Sequence, residues 1–355
     1  MKILIINNSI SRWTLADSYG HAFQSLNHET RLLNLFYEAG REQSRSQGQK
    51  PTEVRILTET VLRKVSRVIW GVKGEARRRL LMKIREWKPE LVMVVGNVEI
   101  DPDILKEIKK ILISCRIFWY LTDPLPTQNS LLVDSVPFYD CILTFSKFQV
   151  PLIYWFGGKN VFYLPFGYDP RLHRKVILTN EEKKFYGSDV AYLGTWQPTI
   201  ENWLNELTSH DLKVWGNQWH QLKGCPQIMK CWQGEGAGLY GDLAKVANAS
   251  KVIFNVVRFH NGNGHSMKTF EIPASGGFML TNRTDEQVSF FPEDTCAVYF
   301  STQEELKDKL KFYLLHETER ERISQAGYEV AQQHHYNERA RTILSYDKRI
   351  AKCGS

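Results

Sequence analysis

Short apolar runs recur along this chain, each followed by a stretch whose apolar residues fall at helical spacing. In the first half the runs are MKILIIN (1–7), ELVMVVGN (90–97), RIFWYLTDP (116–124), DCILTFSK (140–147) and KNVFYLPFGYDP (159–170). The polar stretch RLHRKVILTNEEKKFYG (171–187) interrupts them. The pattern then restarts with VAYLGTW (190–196), LKVWGN (212–217), KVIFNVVR (251–258) and CAVYF (296–300). Near-continuous apolar strands alternating with helices call for parallel sheets covered on both faces, since parallel neighbours need a crossover, usually a helix. At 355 residues the chain is too long for one ordinary core. The expected fold class is therefore α/β, with two Rossmann-like domains whose parallel sheets face a central cleft. The expected divisions are 1–170, a linker at 171–187, a second domain at 188–335, and a final helix over 336–355 that crosses back to the first domain. Helix signals are explicit in places. Asp101-Pro102 reads as a cap followed by proline at the first helical position, and Thr302 caps TQEELKDKLKFYLL (302–315).

Composition narrows the class. The hydrophobic share of 43% beside 24% charged residues is that of a soluble globular protein. No apolar run approaches membrane-helix length, and the start lacks a signal-peptide core, so the expected location is the cytoplasm. The six cysteines form no C-x-x-C pair, which fits free thiols in a reducing compartment. The net charge of +7 is concentrated in residues 41–90, which hold 14 Lys/Arg against 6 Asp/Glu. That excess reads either as a solvated helix face or as a surface for an anionic partner, centred on residues 63–85. No zinc finger, RNP-type motif or recognition helix points to nucleic acid. A dinucleotide oxidoreductase is disfavoured, because the first strand leads into NNSISR rather than a G-x-G-x-x-G loop.

Ligands of open parallel sheets sit beyond the carboxyl ends of the strands. In the first half those ends present Asn8, Ser9, Asn97 and Asp123. In the second they present Gly194, Thr195, Asn217, Arg258 and the loop NGNGHSMKTFE (261–271). The loop poses a choice. Glu271 in a first helical turn is favourable with the helix dipole, a purely structural role. Alternatively the glycine-rich loop and helix start hold a phosphate through backbone N–H groups while Glu271 holds a neighbouring hydroxyl. Asp123, at a strand end before a proline, reads as a general base for an acceptor hydroxyl or as a turn residue. His265 reads as a donor to a phosphate or sugar oxygen or as a solvent residue. Trp155, Tyr163 and Phe166 are expected in core and hinge packing, and His334, His335, Tyr336 and Arg339 in docking the last helix.

Six segments in order, YDCILTFSKFQVP, NVFYLPFGYDP, VAYLGTW, KTFEIPASGGFMLTN, FFPEDTCAVYFSTQEEL and HHYNERA, resemble the CgeB/YkvP-like spore maturation proteins. These are a branch of the group 1 glycosyltransferases with the GT-B fold, and the resemblance runs from about residue 90 to 345. It implies a hexosyltransferase-like enzyme using a nucleotide-diphosphate sugar, with no cofactor or metal and an acceptor that stays open. It places Glu271 on the position that binds the donor ribose and Lys268 where a cation balances the diphosphate. Gly264, His265, Ser266 and Met267 would add backbone N–H groups. Asn263 stands where related retaining enzymes carry the first acid of a Glu-x7-Glu motif, so a sugar contact there lacks its charge. The pyrophosphate-binding Arg often found after the first strand of the second domain is missing from GTWQPTIEN, and Arg258 is the substitute. The catalytic candidates are thus Asp123 and His265. The donor candidates are Glu271, Lys268, Ser266, Gly264, Asn263, Arg258, Gly194, Thr195 and Asn217, with Asn8, Ser9 and Asn97 on the acceptor side. Loss of the first motif acid keeps a second reading open: an inactive nucleotide- or sugar-binding structural protein of a spore or cell surface layer. Membrane or spore association is the matching alternative for location.

Overall fold

The computed structural model describes residues 1–8, 14–34, 74–125, 130–234 and 242–353. Ser9 and residues 63–73 of the basic segment lie outside these ranges. The chain divides into two compact units, Met1–Pro165 with Ala340–Ser355, and Phe166–Arg339.

The first unit is built on a six-stranded sheet of order β2-β1-β3-β4-β5-β6. Its strands are β1 (Lys2–Asn7), β2 (Glu29–Asn34), β3 (Leu91–Val95), β4 (Arg116–Leu121), β5 (Cys141–Thr144) and β6 (Val161–Tyr163). Every neighbouring pair is parallel. β1, β3 and β4 are buried nearly end to end, so both faces of the sheet centre are covered. Helix Pro102–Ile111 starts as its sequence demands: Asp101 accepts from the Ile104 N–H at 2.9 Å, with Pro102 in the first turn. Residues 340–353 pack within this unit. The Asp347 carboxylate receives Arg116 at two points, Nη2 to Oδ2 at 2.9 Å and Nε to Oδ1, and Tyr346 stacks on Phe162 at 4.1 Å. Trp155, expected in packing, instead stands 85% exposed, because helix Gln149–Trp155 buries only Gln149 and Ile153 against the sheet.

The second unit carries a five-stranded parallel sheet of order β11-β10-β9-β7-β8. Its strands are β7 (Val190–Leu193), β8 (Leu212–Trp215), β9 (Val252–Asn255), β10 (Met279–Asn282) and β11 (Val298–Phe300). Residues 171–187, read from sequence as a plain linker, contain helix Asn180–Tyr186. Thr179 and Glu182 form a reciprocal capping box at its start, a local signal that outweighs the run's polarity. Thr302 caps helix Gln303–Leu315 by accepting from the Glu305 N–H.

Strand order decides where a ligand goes. In the first unit β1 is followed by β2 on one side and β3 on the other, and in the second unit β8 and β9 flank β7 in the same way. Diverging connections leave a crevice at the carboxyl ends of β1/β3 and of β7/β9.

Candidate functional site

Beside the switch point, at the carboxyl ends of β7 and β8, the backbone itself is drawn close. Gly216, just beyond β8, has φ +137°, and a Cβ there would lie 2.1 Å from the Gly194 carbonyl oxygen. Only glycine fits that position. The Gly194 N–H donates to the Trp215 carbonyl at 2.9 Å, and the Gly194 carbonyl accepts from the buried Trp219 indole at 3.0 Å. The Trp196 N–H donates to the Asn217 carbonyl at 2.9 Å, joining the two loops that leave β7 and β8. Gly194, Thr195 and Asn217 therefore lie together at one end of this sheet, as their strand-end positions required.

Arg258 follows β9 and is exposed. With the Gln197 amide, in the loop after β7, turned so that its oxygen faces Arg258, that oxygen accepts from Arg258 Nε at 2.9 Å and Nη1 at 3.3 Å. A neutral amide thus orients the guanidinium across the switch point without cancelling its charge. Lys268 opens helix Lys268–Ala274 and is partly buried. Burial pushes its pKa down, Glu271 one turn on opposes that, and Arg258 adds to it by repulsion. Among the described residues neither cation has a carboxylate within ion-pair distance. Glu271 is only 14% exposed, and its carboxylate has no hydrogen bond among the described residues. Its nearest charged-type neighbour is His173, with Nε2 3.8 Å from Oε1. Two cations and one carboxylate, all incompletely satisfied, thus share the β7/β9 end of the sheet.

The loop between β9 and that helix differs from expectation. His265 is not available for catalysis: it is fully buried, its Nδ1 lies 2.6 Å from Glu286 Oε2, and its Nε2 accepts from the Phe166 N–H at 3.0 Å. With a donor on Nε2, the ring proton sits on Nδ1 and points to Glu286. Phe166, Phe270 and Phe290 pack edge-on around the ring at 5.4–5.6 Å. Both nitrogens are consumed in holding the loop, which leaves no proton for a substrate. Asn263 is also committed. Its Oδ1 accepts from the Asp285 N–H at 2.7 Å and its Nδ2 donates to the Asp285 carboxylate. Of the expected phosphate-binding N–H groups, that of Gly264 donates to the Asn261 carbonyl and that of Ser266 to Thr269 Oγ1. Ser266 Oγ is enclosed, with no partner among the described residues. The helix is a single short turn pair of seven residues with Pro273 inside it. Two of the four N–H groups expected to hold a phosphate, those of Gly264 and Ser266, are therefore already engaged within the loop.

The first unit gathers its own candidates. Asn8 Nδ2 donates to the Asn97 carbonyl at 2.7 Å, and Asn97 Nδ2 donates to Asp123 Oδ2 at 2.9 Å. The three follow β1, β3 and β4, so the chain of hydrogen bonds runs across the β1/β3 crevice. Asp123 is a part-exposed carboxylate oriented by the Asn97 amide.

Residues 197–345 match a family described as glycosyl transferase-like. Over 264 residues the chain is 24% identical to spore protein CgeB of Bacillus subtilis, covering 70% of this chain and 79% of that protein. Anabaena HepE in complex with UDP-glucose superposes with a TM-score of 0.62 at 12% identity, covering 98% of this chain and 100% of HepE. Sucrose-phosphate synthase from Thermosynechococcus elongatus superposes at 0.63 and 9% identity, covering 99% of each chain. The chain has the GT-B fold of these glycosyltransferases. The matched stretch contains every second-unit candidate from Gln197 to Glu271, whereas Asn8, Asn97 and Asp123 lie before it.

Two contributors were missed in the sequence. Gln197 lies two residues beyond Thr195 in the same strand-end loop, so extending that loop by one turn's length would have found it. His173 lay in the stretch taken for a linker, and nothing local in DPRLH marks it as facing a carboxylate 98 positions away.

Proposed function

We propose that this glycosyltransferase-like protein moves a glycosyl group from a nucleoside-diphosphate sugar to an acceptor hydroxyl without a bound metal. The observation that carries the reading is the Arg258–Lys268–Glu271 group at the β7/β9 switch point. Two cations lacking carboxylate partners fit a diphosphate, and an adjacent carboxylate lacking hydrogen bonds fits the two hydroxyls of a ribose. In the reaction the bond from the sugar's anomeric carbon to the diphosphate oxygen breaks, and a bond to the acceptor oxygen forms. The acceptor proton passes to a base, for which Asp123 is the candidate. Arg258 and Lys268 stabilise the charge that grows on the departing diphosphate, the largest electrostatic demand of such a step. The UDP-glucose complex of HepE makes uridine nucleotides the first donors to try.

A second reading, a nucleotide-binding structural protein without turnover, draws on one observation. Asn263 occupies the place of a motif acid and spends both amide atoms on Asp285. Association with a spore or an anionic surface belongs to either reading. In the described part of the basic segment, Arg77 and Arg85 already share Glu107, at 2.8 and 3.7 Å. No helix of the described residues is long and apolar enough to cross a membrane. The test is incubation with uridine, guanosine and adenosine diphosphate sugars, reading released nucleoside diphosphate with and without a chelator. Turnover that survives chelation supports the proposal. Tight nucleotide binding without any release selects the structural reading, and loss of turnover on chelation overturns metal independence.

A further inference from the structure

The segment Asp169–His173 is a locked turn at the start of the second unit. The His173 N–H donates to the Asp169 carbonyl at 2.8 Å, and the Leu172 N–H to the same oxygen at 3.0 Å. Asp169 is buried, and its carboxylate accepts from the Arg171 N–H at 2.9 Å and from the Arg171 guanidinium at three further contacts of 2.5–3.1 Å. The His173 ring is only 7% exposed and meets Tyr168 edge-on. Its Nδ1 accepts from the Asp169 N–H at 3.2 Å. An acceptor Nδ1 fixes the neutral tautomer with its proton on Nε2, and Nε2 is the atom that faces Glu271 Oε1 at 3.8 Å. Burial favours the same neutral form, lowering the ring's pKa against the pull of Glu271 and Asp169. An imidazole held this way presents a donor that cannot turn away.

Glu271 has an alternative that would spoil the donor site. Lys268 lies one turn before it, and a carboxylate folded onto that ammonium would neutralise the charge the diphosphate needs. We propose that His173 is a positioning residue: its Nε2–H holds one oxygen of Glu271 at the sheet's end, keeping the carboxylate toward the donor ribose and leaving Lys268 to the diphosphate. At 3.8 Å the contact is longer than a hydrogen bond, and in the proposed role it shortens to one when ribose fixes the other oxygen. The inference rests on the ribose role of Glu271 proposed above.

The test is a double-mutant cycle read by calorimetric titration of uridine, guanosine and adenosine diphosphates, beside a melting curve for each variant. His173→Asn retains an acceptor near the Nδ1 position and removes the reach to Glu271. His173→Gln retains a donor near the Nε2 position. The expected result is a three- to tenfold weaker affinity for the preferred diphosphate in His173→Asn, restored in large part by Gln, as for loss of one hydrogen bond of ~1 kcal/mol. In the Glu271→Gln background the Asn substitution then changes affinity no further. An equal loss in both backgrounds, or a lowered melting temperature with unchanged affinity, means that His173 serves the turn alone and overturns the proposal. Unchanged affinity in Glu271→Gln by itself, or no nucleotide binding by the unsubstituted protein, overturns the donor site and this role with it. Normal loss in Glu271→Gln with none in His173→Asn overturns only the positioning role.

Discussion

Replacing Lys268 by methionine separates the cost of a functional cation from its use. The side chain is partly buried beside Arg258, and burial together with that repulsion outweighs the attraction of Glu271, since the ammonium's pKa is lowered overall. A lowered pKa in the folded state means that folding disfavours the charged form, so at neutral pH this charge subtracts from stability. Methionine has nearly the same length, fills the same space and carries no charge. The free protein should therefore become more stable, by about 0.5–2 kcal/mol, the usual gain when a strained site residue is relieved. For a unit of this size that is a rise of roughly 2–6 °C in melting temperature. Nucleotide binding moves the other way. A charge-assisted contact to the diphosphate contributes about 1.5–3 kcal/mol, so uridine diphosphate affinity should fall by roughly ten- to over a hundredfold. Affinity for uridine, which has no phosphate, should not change. Differential scanning calorimetry and titration calorimetry on the same preparations give both signs. A lower melting temperature with intact diphosphate affinity would show that Lys268 is held by the fold for its own sake, and would refute the placement of the diphosphate.

Three further outcomes follow from other parts of the molecule. Asp123→Asn should lower kcat by about a hundredfold or more while leaving uridine diphosphate affinity unchanged, as expected for a lost base, and a binding defect without a rate defect would count against that role. Gly216→Ala should cost about 3 kcal/mol or more, because its φ of +137° and the Gly194 oxygen 2.1 Å from the new Cβ both oppose a side chain; urea unfolding measures it. His334, whose pKa is driven down to about 4 by burial and by Arg339, takes up its proton more readily unfolded than folded. Its contribution to stability is thus complete above about pH 6.5 and declines as pH falls toward 4, by about 2–3 kcal/mol in all. His334→Asn, which keeps an acceptor for Arg339, should flatten that decline in melting curves taken from pH 7 to 4.

The parallel sheets were legible because their strands are buried on both faces, so β3 and β4 read as unbroken apolar runs in any context. Caps were legible for the same local reason: Asp101 and Thr302 bond N–H groups three positions away. The strand-end rule likewise reached Gly194, Asn217, Arg258, Asn97 and Asp123, because in a parallel sheet all carboxyl ends share one edge. What the sequence could not carry is how polar groups are shared between segments far apart in the chain. Asn263 and His265 look like ligand-binding loop residues, yet their partners Asp285 and Glu286 come more than twenty positions later, and only folding shows them already occupied. Lys268 and Glu271 stand out in the sequence through the glycine-rich loop and the family resemblance, but only the tertiary structure shows how far each is left without full partners. Which charges are satisfied depends on distances across the sheet, and those are set by packing rather than by neighbours in the sequence. His173 shows the same limit most sharply, since its turn is local but the carboxylate it faces is brought there only by the second unit's fold.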